Sequence, residues 1–170
     1  MEATPYWIEG TWPGRLAILP RPRGGDWLED EVGAWRLARI DAVVSTLTSD
    51  EIAELDLSEE AELCQANGVD FFMFPVEDRG LPSSFTATAE LARRLEVKLA
   101  KGKNVAIHCR QGVGRSALIA ACVLVAAGVE AETAWGKVRA ARGCPVPDTA
   151  EQRAWVARLA ETLPAALPGR

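Results

Sequence analysis

One stretch of the 170-residue sequence gathers the side chains best suited to chemistry: His108-Cys109-Arg110-Gln111-Gly112-Val113-Gly114-Arg115-Ser116. The short apolar run Asn104 to Ile107 precedes it and reads as a buried strand. Ala117 to Ala127, almost wholly apolar, follows and reads as a buried helix. A cysteine therefore stands at a strand's end and an arginine at a helix's start. A helix N-terminus presents unpaired N–H groups and the positive end of the macrodipole. A loop feeding it can aim further N–H groups at an anion. Gly112 and Gly114 allow a tight turn and a close approach to a ligand. Arg115 adds a planar fork that suits two oxygens of a phosphate. Because such surroundings favour a thiolate, the loop is expected both to bind an oxyanion and to hold a nucleophile beneath it.

The spacing His-Cys, five residues, Arg-Ser resembles the signature of the cysteine-dependent protein tyrosine phosphatases, in the strand-to-helix context such a motif requires. Two other readings compete. A buried cysteine in a glycine-rich turn leaves Arg115 and both glycines unexplained. A sulfurtransferase (rhodanese-like) loop also runs Cys-Arg-x-Gly, but it usually places four residues between cysteine and arginine. The additional residue here widens the cradle to the size of tetrahedral phosphate.

A second segment, Pro75-Val76-Glu77-Asp78-Arg79-Gly80-Leu81-Pro82, resembles the general-acid loop of the compact dual-specificity phosphatases, with Asp78 lying 31 positions before Cys109. The resemblance implies a set of roles. Cys109 attacks phosphorus, and Arg115 and the loop interior (Arg110, Gln111, Gly112, Val113, Gly114) hold the phosphate. Asp78 protonates the leaving oxygen and then, ionised, takes a proton from the hydrolytic water. Ser116 hydrogen-bonds the sulfur. His108 is a buried residue that braces the loop through the cysteine's backbone. Gln152, in Thr149-x-x-Gln152, matches a water-positioning glutamine of some members and equally matches a plain capping box. Glu77 is the alternative acid if the register shifts by one. Arg79 and Arg142 are either a site for a second anionic group or solvated surface residues.

The elements that must position these groups alternate between strand and helix. Tyr6-Trp7-Ile8 and Leu16 to Leu19 read as strands around Pro13-Gly14. Asp26 is expected to cap a helix to about Arg39, with Leu28, Val32, Trp35 and the stem of Arg39 facing inward. A third strand holds Ala42-Val43-Val44. Thr48-Ser49-Asp50-Glu51 is a capping box opening a short helix, and Ser58 to Asn67 is a further helix closed by Gly68. Val69 to Phe74 is an aromatic-rich fourth strand. Ser83 or Ser84 caps a long helix ending near Lys101. After the central helix, closed by Gly128, come a helix from Glu130 to Arg142, a rigid Pro145-Val146-Pro147-Asp148 bend, and a last helix to about Leu163. This order predicts one α/β domain over residues 1–170, with residues 1–5 and 164–170 frayed. Its core is a mostly parallel five-stranded sheet with helices on both faces, of the dual-specificity phosphatase type the resemblance implies. Ligands of such sheets bind at the carboxyl ends of strands, where Cys109 and Asp78 both fall.

Hydrophobic residues at 48% and charged residues at 25% are ordinary globular values. A net charge of -5 argues against nucleic acid or an anionic membrane as partner. Met1 to Pro5 has neither the basic start nor the apolar run of a secretory signal, and the longest apolar stretch is too short to span a bilayer. Four cysteines without paired spacing and a single histidine argue against zinc, so no metal or cofactor is expected. A reducing, cytoplasmic setting fits. The expected partner is thus a phosphorylated protein or a small phosphoester. The loop carries no lysine, which disfavours a phosphoinositide. A non-catalytic phosphate-binding module is the third reading, against which the joint presence of Cys109, Arg115 and Asp78 speaks.

Overall fold

The computed structural model describes residues 3–163. Five strands form one sheet in the order β1-β2-β5-β3-β4: β1 (Tyr6–Ile8), β2 (Leu16–Leu19), β3 (Ala42–Ser45), β4 (Asp70–Met73) and β5 (Val105–His108). Only β1 runs antiparallel, on the edge beside β2. The other four are parallel, and their register sets Leu19, Ser45, Met73 and His108 in one row at the carboxyl edge. The expected mostly parallel five-stranded sheet is therefore the observed one.

The three inner strands β2, β5 and β3 are buried on both faces, as their unbroken apolar runs require. Alternate residues feed two cores. Leu16, Ile18, Val44, Val105 and Ile107 pack with α4 (Phe85–Ala100), α5 (Arg115–Ala126), α6 (Ala131–Arg142) and α7 (Ala150–Thr162). Ala17, Leu19, Val43 and Ala106 pack with α1 (Leu28–Leu37) and α3 (Glu60–Ala66), while α2 (Ser49–Glu54) lies against the same side. Because α5 is apolar all round, it needs cover on every side. It receives that cover from the sheet and from α4, α6 and α7.

Several local signals operate as expected. Thr48 and Thr149 each open a helix with a reciprocal capping box, Ser84 caps α4, and Gly68 and Gly128 adopt positive φ behind their helices. Two do not. Asp26 lies inside a 3-10 turn (Gly25–Trp27), and α1 starts after Trp27 with no side-chain cap. Gly25 donates its N–H to the Asp56 carbonyl, and the 3-10 turn that follows carries Asp26 past the position from which it could cap α1. Arg39 is exposed at φ 64, beyond the helix end, and its stem takes no part in the core. The predicted frayed tail, 164–170, lies outside the described residues, as do Met1 and Glu2.

Candidate active site

The cysteine loop closes a cavity of about 170 Å3 lined by Asp78, Arg79, Cys109, Arg110, Gln111, Gly114, Arg115 and Asp148. Its base is built at the end of β5. The His108 carbonyl accepts from both the N–H (3.1 Å) and the hydroxyl (2.9 Å) of Thr46, which pins the strand end where the loop departs. Cys109 is 3% exposed. Its Sγ receives the Gly112 N–H at 3.1 Å and lies 3.2 Å from Ser116 Oγ, so two donors are placed to stabilise negative charge on sulfur. Gly112 turns the loop at φ 74. Gly114 matters for a different reason: a Cβ there would sit 2.2 Å from Asp148 Oδ2, so the absence of a side chain lets that carboxylate close over the start of α5.

Arg115 is 2% exposed and thoroughly held. Its guanidinium makes a two-pronged pair with Glu51, at 2.6 and 2.9 Å, and donates to the Val76 carbonyl at 2.9 Å. Glu51 responds: hydrogen bonding from Arg115 and from Thr48 outweighs burial and holds its carboxyl at about 2. The guanidinium also approaches Asp78 Oδ1 at 3.5 Å. Arg115 thus joins the cysteine loop to the segment carrying Asp78.

That segment is anchored on either side of Asp78. Val76 donates its N–H to the Thr46 carbonyl and gives its own carbonyl to Arg115. The Gly80 carbonyl accepts from Gln152 Nε2 at 3.1 Å. Between these anchors Arg79 takes a positive φ of 57, and the Asp78 side chain projects into the cavity mouth with most of its surface in water. Glu77, the neighbouring carboxylate, is exposed and does not line the cavity.

Gln152 is wholly buried, and its amide is engaged at both ends. Oε1 accepts from the Asp148 and Thr149 N–H groups, and Nε2 donates to Gly80. It is at once a capping residue and a strut beneath the Asp78 segment. His108 is buried as expected, but its ring bonds elsewhere: Nε2 lies 2.5 Å from Glu60 Oε1, and Nδ1 has no hydrogen-bond partner among the described residues. Its hold on the loop runs through its carbonyl to Thr46. Arg142 is partly exposed and braces the loop from outside the cavity. Its Nε donates to the Gly112 carbonyl at 2.8 Å, and its guanidinium lies over Tyr6. Arg79 lines the cavity mouth, and Arg110 does so while paired to Glu54 at 3.1 Å. Gln111 is exposed at the rim, and Val113 packs against the core.

Four supporting residues escaped the sequence reading. Glu51 was visible only as the third residue of a capping box. Glu60 stands in step with Leu57 and Cys64 on a buried face, and an acidic residue in that position was the available signal. Thr46 and Asp148 carried none. The remaining buried thiols are unsuited to the chemistry: burial pushes Cys64 up to about 12 and Cys122 upward as well.

The chain is similar to known proteins in sequence and in fold. Residues 40–157 match the family "dual specificity phosphatase, catalytic domain". The cyclin-dependent kinase inhibitor 3 proteins of Sus scrofa and Homo sapiens are each 28% identical over 125 residues, covering 72% of this chain. The aligned region makes up 58% of those relatives' own length. In three dimensions the chain is similar to kinase associated phosphatase, with a TM-score of 0.86 at 21% identity over 98% of this chain and 99% of that one. It is also similar to Tk-PTP in its active form, with a TM-score of 0.74 at 27% identity over 94% and 97%. With the match running from β3 into α7 and enclosing every residue that lines the cavity, the chain belongs to the dual specificity phosphatase catalytic-domain family.

Proposed function

We propose that the protein hydrolyses phosphomonoesters through a cysteinyl-phosphate intermediate, with phosphotyrosine, phosphoserine or phosphothreonine of proteins as substrate class. The observation that carries this reading is the Cys109 sulfur in the cavity, receiving the Gly112 N–H and lying 3.2 Å from Ser116 Oγ, with Arg115 lining the same cavity. In the first step Cys109 Sγ forms a bond to phosphorus as the ester P–O bond breaks. Arg115 and the loop N–H groups take the charge of the equatorial oxygens, which is where such transition states need it. Asp78 delivers its proton to the departing oxygen. In the second step water attacks phosphorus as the P–S bond breaks, a carboxylate lining the cavity takes the water's proton, and the sulfur leaves as a thiolate held by Ser116 and Gly112.

A phosphoprotein is the better-supported substrate. The loop's second cation, Arg110, is tied to Glu54 at the cavity mouth, so its charge is already partnered and less open to the further phosphates of a multiply phosphorylated ring. No helix among the described residues is long and apolar enough to cross a membrane. The test is turnover of p-nitrophenyl phosphate and of phosphopeptides under reducing conditions, beside Cys109→Ser. The variant is expected to bind phosphopeptide without turning it over. Equal turnover by wild type and Cys109→Ser would refute the covalent mechanism.

A further inference from the structure

Two carboxylates, not one, face the cavity. Asp78 lines it from the loop after β4, and Asp148 lines it from the bend before α7. The family resemblance implies both proton transfers for Asp78 and, in some members, a glutamine placed like Gln152 that holds the hydrolytic water. Holding that water is not the same as taking its proton, and Gln152 cannot do the second. A group that takes a proton must have a lone pair to accept it, and both acceptor sites of Gln152 Oε1 are filled by the Asp148 and Thr149 N–H groups. One of the two Nε2 hydrogens goes to the Gly80 carbonyl, so the side chain can at most donate to a water and cannot accept from one.

The same hydrogen bonds fix Asp148. Its backbone N–H is held by a wholly buried side chain, and the preceding Val146 is buried. Its carboxylate packs over Gly114, where any Cβ would collide with it. Among the described residues that carboxylate has no hydrogen-bond or ion-pair partner, whereas Asp78 is drawn to Arg115. An unpaired, half-buried acceptor with a fixed backbone, opening on the same small cavity as the nucleophile, is what a general base requires.

We propose that Asp148 is the base of the second step, dividing the chemistry with Asp78. This rests on the phosphatase reading given above. Water oxygen bonds to phosphorus as the P–S bond breaks, one water proton passes to the Asp148 carboxylate, and the electron pair of the broken bond returns to Cys109 as thiolate. Asp78 then serves only to protonate the leaving group of the first step.

The experiment is rapid-mixing hydrolysis of p-nitrophenyl phosphate by wild type, Asp148→Asn and Asp78→Asn, with each variant's melting temperature measured alongside. Asp148→Asn should release about one nitrophenolate per active site at the wild-type rate and then turn over roughly 10²-fold more slowly. Acid quenching during its steady state should trap phosphate on Cys109, detectable by mass spectrometry. A purely structural role for Asp148 would slow the first phase along with the second and leave no trapped intermediate. That result overturns the proposal, as does an unchanged steady rate. A burst and trapped phosphocysteine in Asp78→Asn alone would return the second step to Asp78. A wild type that releases no nitrophenolate would instead overturn the phosphatase reading itself, and with it this one. The Asn side chain keeps the size of Asp. An unchanged melting temperature confirms that the fold is retained, and if it falls, Asp148→Glu, which retains a carboxylate, should regain second-step rate.

Discussion

Replacing Glu51 by Gln isolates the ion pair that holds Arg115. The substitution keeps the capping box, because a glutamine can accept the Thr48 N–H as the glutamate does. It removes the charge facing a guanidinium that is 2% exposed and replaces one of the two oxygens that Arg115 donates to with an NH2 group. Stripping one partner from a buried pair costs roughly 3 to 5 kcal/mol. Gln retains one of two acceptors, and the Val76 carbonyl still receives a hydrogen bond, so a loss of about 2 to 3 kcal/mol is expected. The pH dependence provides an independent check. Arg115 holds the Glu51 carboxyl at about 2, against an ordinary 4.5. Since its pKa is lowered in the folded state, the associated stability is present above about pH 4.5 and is lost as pH falls through about 2. The displacement corresponds to about 3 kcal/mol at most, nearly all of it gone by roughly pH 2. Urea unfolding of both proteins at neutral pH and at about pH 2.5 should therefore show a wild-type advantage at neutral pH that narrows by about 2 to 3 kcal/mol in acid. An advantage that is the same at both pH values would show that the pair does not stabilise the fold through its charge.

Two further outcomes follow from the loop geometry. Asp78→Asn should lower turnover of phenyl-type esters with poor leaving groups by about 10²- to 10⁴-fold and scarcely affect those with good ones; a loss independent of the leaving group would remove Asp78 from the acid role. Gln152→Leu leaves the Asp148 and Thr149 N–H groups and the Gly80 carbonyl without their partner, at a cost of about 2 to 3 kcal/mol. Its melting temperature should fall by roughly 5 to 10 °C in calorimetry, and an unchanged midpoint would refute the strut.

What the residues determine by themselves is whatever depends on neighbours within a few positions. The Cys109-to-Ser116 loop, its flanking strand and helix, the caps at Thr48, Ser84 and Thr149, and the left-handed closures at Gly68 and Gly128 are all local, so each could be read in place. The alternation of strand and helix then fixes the α/β class, and the unbroken apolar runs fix which strands lie inside. Asp26 has the side chain of a cap but sits inside a 3-10 turn, where the chain is tied to Asp56 through Gly25. What only the tertiary structure decided is who supports the catalytic groups. Glu51 meets Arg115 across 64 residues, Glu60 meets His108 across 48, and Gln152 meets Gly80 across 72. A glutamate early in a helix looks the same in sequence whether it faces water or a guanidinium, and the strand order that brings α2 and α3 to the carboxyl edge is a property of the whole sheet. Asp148 is the extreme case. Nothing in its neighbourhood distinguishes it from a turn residue; it faces the cavity because a buried amide holds its backbone and a glycine 34 positions earlier leaves room for its carboxylate.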